Sequence, residues 1–385
     1  MRRRKVCVVV TARPSYSRIL TALQAIARHP DLELQIVVAA SALLERYGTV
    51  VRVMEEDGLD IAARVFMVIE GENPASMAKT TGLGLIELAT TFDNLRPDVV
   101  VTVGDRYETL ATATAAAYMN LPLTHVQGGE VTGSIDEKVR HATTKLADLH
   151  LVATERARER VIRLGEDPGA VHVTGCPSID LAAEVLAEGA NRFDPFERYG
   201  GLGATLDLSK GYLVVLQHPV TNEHEEARRH VTETLYAVKN VGLPAIWFWP
   251  NVDAGSDGTS KGIRVFREQE RPSQFHYFRN MIPRDFLRLL VNCSAIVGNS
   301  SVAIREGSYL GVPAVSIGSR QNGRERGPNV IDVGYERGAI EAGIRQHLAS
   351  ARPARSELYG DGRAGGKIAE RLARAELRTA KVLAY

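Results

Sequence analysis

At 385 residues, with 47 basic and 46 acidic side chains, the chain is too long for one hydrophobic core and close to electroneutral. Two domains of about 150 to 200 residues are expected, and neither nucleic acid nor a membrane surface has an electrostatic claim on it as partner. The composition, 44% hydrophobic and 24% charged, is globular, and no apolar run reaches the roughly 18 residues of a membrane span.

The basic start Arg2-Arg3-Arg4-Lys5 precedes a short β-branched run, too short for the apolar region of a signal peptide, and reads as a solvated entry to a strand. Strands are expected at Lys5–Thr11, Leu34–Ala39, Arg64–Ile69, Val99–Val103, Leu123–Val126, Leu149–Ala153 and Val171–Thr174. They are continuously apolar instead of alternating, the pattern of strands covered on both faces by helices. The first domain, residues 1–192, is therefore expected to be an α/β, doubly wound parallel sheet. Residues 193–210, rich in Gly, Asp and aromatics, show no sustained period and read as a linker. The alternation then restarts, with strands expected at Tyr212–Gln217, Ala245–Trp249, Gln274–Phe278, Ala295–Gly298, Ala314–Ile317 and Val330–Val333. A second Rossmann-like domain over residues 211–350 follows. Glu336 to Leu383 reads as helices, broken near Pro353 and at Gly360–Gly366. Cys7, Cys176 and Cys293 lie far apart, each in or beside an expected strand, which points to buried thiols in a reducing compartment, hence cytoplasm.

In open α/β sheets ligands bind beyond the carboxyl ends of the strands, and two such domains facing each other make a cleft. The polar clusters of this sequence fall at those ends. Arg13, Ser15 and Ser17 follow the first strand, Gly104-Asp105-Arg106 the fourth, and Gln127-Gly128-Gly129-Glu130 the fifth. In the second half Gln217-His218-Pro219, Asn251 with Asp253, Gly298-Asn299-Ser300-Ser301 and the loop Arg320–Arg326 do the same.

The stretch Pro122–His150 is the densest in chemistry. Gly128 and Gly129 let backbone pass close to a ligand, and Glu130, Asp136 and Glu137 sit where protons can be transferred or hydroxyls gripped. Part of this is helix capping: Ser134 as N-cap, Glu137 three residues later, Asp136 in the first turn. Capping leaves the GGE loop, His125 and the pair Arg140-His141 without a structural reason. In the second half, GNSS ahead of a helix starting near Ser301 offers N–H groups and hydroxyls to an anion such as a diphosphate. Glu306 is expected about one and a half turns along that helix, where it can accept from ribose hydroxyls. Arg320 and Arg324 supply forked donors for phosphate or base. His218, placed before Pro219, is as suited to catalysis or phosphate contact as to a loop hydrogen bond; Asp105 is either a helix cap or an acid/base. There is no GxxxxGK[ST] for a triphosphate, no GxGxxG after the first strand for NAD, and no metal-ligand spacing. No cofactor and no metal are expected.

On GDRYE (Gly104–Glu108), GGEVTGSIDEKVRHATTKLADLH (Gly128–His150), TGCPSID (Thr174–Asp180), QHPVTNE (Gln217–Glu223), WPNVDAGS (Trp249–Ser256), GNSS (Gly298–Ser301) and GSRQNGRE (Gly318–Glu325), the chain resembles the hydrolysing branch of the UDP-N-acetylglucosamine 2-epimerase family over nearly its whole length. The resemblance implies a two-domain glycosyltransferase-B fold, residues 351–385 crossing back to the first domain, and a homodimer or homotetramer. It also implies a chemistry: removal of UDP across C1–C2 to a 2-acetamidoglucal-type intermediate, then water addition releasing N-acetylmannosamine. Asp105 and Asp136 then correspond to acid/base carboxylates, with Glu130 beside them, and His218 to the histidine near the leaving group. Arg13, Ser17, Ser300, Ser301, Glu306 and Arg320 correspond to nucleotide contacts, with Arg106, Arg140, Asn251 and Arg324 as further binding candidates. The match departs at Gln127, another binding candidate, where many members carry a glutamate. An amide exchanges no proton, so a base at that position passes to Glu130 or Asp136, or the substrate is a different nucleotide-activated sugar such as a 2,4-diacetamido-6-deoxy hexose. A non-hydrolysing epimerase, a glycosyltransferase of the same fold and a non-catalytic nucleotide-sugar sensor are the rival readings.

Overall fold

The computed structural model describes residues 2–44, 50–70, 74–132, 135–189, 193–250 and 256–384. The chain forms two compact units, one of Met1–Glu130, Ile135–Leu181 and Tyr359–Tyr385, the other of Val131–Ser134 and Ala182–Leu358.

The first unit is built on a seven-stranded sheet of β1 (Arg4–Val10), β2 (Leu32–Ala39), β3 (Ile61–Val65), β4 (Val99–Val103), β5 (Leu123–Val126), β6 (Leu149–Val152) and β7 (Val171–Val173). Their order is β3-β2-β1-β4-β5-β6-β7, all pairs parallel. The pleat splits β1 between two cores. Val6, Val8 and Val10 pack with Ile19, Leu23 and Ile26, while Cys7 and Val9 pack with Leu88 and Phe92 on the other face. Burial on both faces is why these strands read as unbroken apolar runs. The third strand differs from expectation, lying at Ile61–Val65 instead of Arg64–Ile69. It is an edge strand whose exposure alternates, and the more apolar FMVI run that follows leaves the ladder, with Met67 buried in the core and Phe66 exposed.

The helix Ala364–Arg374 closes this unit, its Ile368, Ala369 and Leu372 joining the core around Leu23 and Ile26. Asp180 anchors its start, accepting from the backbone N–H of Ala364 at 2.8 Å and Gly365 at 2.7 Å, and from the Thr21 hydroxyl at 3.0 Å. The helical pattern expected to run to Leu383 stops here, because the end of the helix is taken by other groups. The Arg4 guanidinium donates to the carbonyls of Leu372 and Ala375, so Arg4 is a cap and not a solvated strand entry; Arg2 pairs with Asp98 on the surface. The following tail has no regular structure and is held by Lys381, which donates to the carbonyl of Ala147 at 2.5 Å and pairs with Glu166 at 2.5 Å.

The second unit repeats the architecture with β8 (Leu202–Gly203), β9 (Leu213–Leu216), β10 (Ala245–Phe248), β11 (Phe275–Phe278), β12 (Ala295–Gly298), β13 (Ala314–Ile317) and β14 (Val330–Val333). The order is β14-β13-β12-β9-β10-β11-β8. Six strands are parallel; β8 is a two-residue antiparallel edge on β11, invisible to periodicity because two residues carry none. Its core gathers Leu235, Val238, Trp247, Phe275, Tyr277, Ile340 and Ile344. No helix among the described residues is long and apolar enough to cross a membrane.

Candidate active site

In the first unit the polar clusters gather at the carboxyl edge of the parallel sheet. β4 ends at Val103 and Gly104 turns the chain with φ 77°, delivering Asp105 ahead of the helix Tyr107–Tyr118. β5 ends at Val126 and runs through the GGE loop to the helix Ile135–Leu146. That helix brings Arg140 back beneath the loop. The guanidinium is 1% exposed; it donates to the Glu130 carbonyl at 2.7 Å and to Glu137 at 3.1 Å, and pairs with Asp105. Burial alone would lower its pKa, but the charges of Asp105, Glu130 and Glu137 outweigh burial and raise it, so it is a fixed cation. Arg18 adds a second positive charge 3.9 Å from Asp105.

His125 lies under this cluster, fully buried. Its Nε2 is 2.8 Å from the Gly104 carbonyl and its Nδ1 3.1 Å from the Thr144 hydroxyl. Burial lowers its pKa to about 4 although the Gly104 contact opposes this, which makes it neutral at working pH. The glycine pair has a packing reason as well as a conformational one. A Cβ on Gly128 would stand 3.0 Å from His125 Nδ1 and 3.1 Å from the Thr144 oxygen, and Gly129 has φ 74°.

The remaining first-unit candidates are placed as follows. Arg106 turns to the buried Glu108 at 3.2 Å. Arg13 and Ser17 are half-buried in the short helix after β1, with Ser17 donating to the Pro14 carbonyl. Asp136 is half-buried in the first turn of its helix. Gln127, with φ 66°, is 1% exposed; its Nε2 donates to Cys176 Sγ at 3.0 Å, and its Oε1 has no hydrogen-bond partner among the described residues. Ser134, the expected cap, lies outside the described residues, as do Asn251 and Asp253.

In the second unit the carboxyl edge carries the loops after β9, β12 and β13. Asn299 fastens the first two together: its Oδ1 accepts from the His218 N–H and its Nδ2 donates to the His218 carbonyl, both at 2.8 Å. The Asn299 carbonyl in turn accepts from Arg320 at 3.1 Å and Gln321 at 2.9 Å. His218 and Arg324 are buried, while Ser300, Ser301 and Arg320 are partly exposed. The single helix expected from Ser301 is two pieces, a turn of tight helix at Ser301–Ala303 and a five-residue helix Glu306–Leu310. Glu306 therefore begins the second piece, and Ser300 caps the first through the Val302 N–H at 3.5 Å. A turn this short has little macrodipole, so the helix-dipole part of the expectation for GNSS falls away and only its N–H and hydroxyl groups are left to offer an anion. One oxygen of the Glu306 carboxylate is buried without a hydrogen-bond partner among the described residues.

Thr144, Gln321 and the bracing role of Asn299 carry no signal in the sequence that separates them from ordinary helix, loop and cap residues; only the fold brings them to their partners. Among the described residues no group of three or more His, Cys, Asp or Glu side chains is placed to hold a metal ion.

Residues 24–373 match the family described as UDP-N-acetylglucosamine 2-epimerase. The chain belongs to this family. Among its relatives in the family, the UDP-N,N'-diacetylbacillosamine 2-epimerase (hydrolyzing) of Legionella pneumophila is 32% identical over 361 residues, covering 94% of this chain and 93% of the relative. The polysialic acid biosynthesis protein P7 of Escherichia coli is 32% identical over 345 residues, 89% of this chain and 85% of the relative. The UDP-GlcNAc 2-epimerase of Neisseria meningitidis, solved bound to UDP-GlcNAc, superposes with a TM-score of 0.80 at 18% identity, over 96% of this chain and all of that one (100%). The fold of this epimerase is thus the glycosyltransferase-B type, two parallel-sheet α/β domains.

Proposed function

We propose that this epimerase is of the hydrolysing kind and acts on a UDP-linked 2-acetamido sugar, UDP-N-acetylglucosamine or a close relative. UDP departs with the C1–O electron pair while C2 loses its proton, leaving a 2-acetamidoglucal-type alkene; water then adds its hydroxyl to C1 and a proton to the opposite face of C2. The free product is the manno-configured sugar. The observation that carries this reading is the carboxylate cluster around Arg140. Asp105, at the end of β4, and the main chain of the Glu130 loop are both held by one buried guanidinium, which supports a role in deprotonating a weakly acidic C–H, a step that needs its acid/base groups held in place. We assign Asp105, Glu130 and Asp136 to proton transfer and His218 to the neighbourhood of the leaving diphosphate. Arg13, Ser17, Arg106, Ser300, Ser301, Glu306, Arg320 and Arg324 are assigned to the nucleotide. The buried Glu306 carboxylate oxygen that has no partner among the described residues supports its share, since a ribose hydroxyl would supply a donor. Arg140 and Gln127 are assigned to holding the site, given their protein partners.

A 2,4-diacetamido-6-deoxy sugar is the second reading for the substrate. It is favoured by Gln127 in place of a glutamate and by the name of the Legionella relative. Proton NMR in D₂O with UDP-N-acetylglucosamine and its 2,4-diacetamido-6-deoxy counterpart tests both readings. Free manno sugar carrying deuterium at C2 is expected; a UDP-linked epimer indicates the non-hydrolysing reaction, and free gluco sugar without deuterium indicates a transferase. The three buried free thiols support a cytoplasmic enzyme, and a dimer or tetramer is tested by sedimentation.

A further inference from the structure

We propose that His125 is a positioning residue of this reaction: as its Nε2–H tautomer it ties the Gly104 carbonyl to the Thr144 hydroxyl and so sets the spacing between Asp105 and the helix that carries Asp136 and Arg140. The proposal rests on the functional reading above for its kinetic consequence, but its geometry stands alone. A carbonyl oxygen only accepts, so at 2.8 Å from Gly104 the Nε2 must carry the hydrogen. Nδ1 is then the acceptor, and the Thr144 hydroxyl donates to it at 3.1 Å. Both nitrogens are used within the protein and the ring is 0% exposed, which leaves no lone pair or proton for a substrate.

The segments meeting at this ring are those bearing the acid/base candidates. Gly104 is held twice from β5: its N–H donates to the Val126 carbonyl at 3.0 Å, and its carbonyl accepts from His125 Nε2–H. The residue after it is Asp105. Thr144 lies one turn beyond Arg140 on the helix that carries Asp136 in its first turn. Gly128 passes so close to both that a side chain there would crowd the bond. Burial keeps the ring neutral, with a pKa lowered to about 4; His150 and Arg140 reinforce this electrostatically and Asp105 opposes it. A neutral ring is needed, because a protonated one would repel the adjacent Arg140 and could no longer accept from Thr144.

The test combines spectroscopy on the intact wild-type protein with two near-isosteric variants. Nitrogen-15 NMR of labelled histidine is expected to show His125 as the Nε2–H tautomer, untitrated from pH 5.5 to 9; an Nδ1–H tautomer, or titration near the ordinary histidine pKa, overturns the proposal. His125→Gln keeps an N–H near the Nε2 position and is expected to retain kcat within about tenfold. His125→Asn keeps only the Nδ1 side and is expected to lose roughly a hundredfold in kcat with KM little changed, the size of effect that small misplacements of catalytic groups produce. Equal activity of the Gln and Asn variants, or a loss confined to KM, overturns it. A wild-type protein that turns over no UDP-linked 2-acetamido sugar overturns the functional reading instead, and the tautomer measurement still decides whether the bond network exists.

Discussion

Asn299 grips the backbone of His218 at both ends, accepting from its N–H and donating to its carbonyl at 2.8 Å each. The side-chain amide does for the β9 loop what a neighbouring strand does inside the sheet. Asn299→Ala removes both of these hydrogen bonds from the buried His218 backbone, a loss of about 2 to 4 kcal/mol at 1 to 2 per group. If His218 serves at the leaving diphosphate, kcat/KM also falls, by roughly a hundredfold. Thermal unfolding and steady-state kinetics of the one variant measure both quantities. Normal stability and normal kcat/KM together would show that the clamp does nothing.

Asp105→Asn separates the chemistry from the nucleotide. The amide keeps the shape but removes the charge opposite Arg140 and the capacity to take a proton. Turnover is expected to fall by about a hundred- to ten-thousandfold, the range of general acid–base contributions, while UDP binding measured by calorimetry stays close to wild type. A large loss of UDP affinity would place Asp105 on the nucleotide.

Strands buried on both faces were legible to within one or two residues, because their apolar runs have no competing explanation; β4, β5, β12 and β13 lie at the expected residues, as does the partly exposed edge strand β14. Where tertiary contacts overrule local preference, legibility ends. The Ala-, Arg-, Leu- and Glu-rich tail has helical propensity to Leu383, yet Arg4 and Lys381 bind its carbonyl-rich turn and tail into other geometry. In the site, Asp105, Glu130 and Arg140 stood out because charged residues cluster where apolar strands end. The reason for His125 did not, since its two partners come from a turn and a helix twenty-one and nineteen positions away, and only the sheet order brings them to one ring.

Asp180 is expected to matter for stability alone. It accepts from two N–H groups at the start of the helix Ala364–Arg374 and from Thr21, acting as a cap supplied from elsewhere in the chain. Asp180→Ala is expected to cost about 2 kcal/mol, the upper range for losing an N-cap, and to expose the segment after Tyr359 to limited proteolysis at Arg363 and Lys367. Asp180→Asn, which keeps one acceptor oxygen, recovers part of this. An unchanged melting temperature in the Ala variant would show that core packing holds the helix unaided.

The same buried groups predict how stability depends on pH. His125 has its pKa lowered from 6.5 to about 4, so between these values the unfolded chain binds a proton that the folded one refuses. Stability therefore falls as pH drops through that window, by about 3 kcal/mol in all from this one residue; His150, also lowered chiefly by burial, acts in the same direction. Glu166 extends the decline. Burial would raise its pKa, but hydrogen bonds from His150, Lys145 and Lys381 prevail and hold it at about 2, below its ordinary 4.5, so its contribution is present above 4.5 and is lost as pH falls toward 2. Urea unfolding at intervals from pH 7.5 to 3 is expected to show falling stability throughout, with His125→Gln flattening the upper part of the curve and Glu166→Gln the lower. A curve unchanged by His125→Gln between pH 6.5 and 4 would mean that the ring is protonated in the folded state, contrary to its place beneath Arg140.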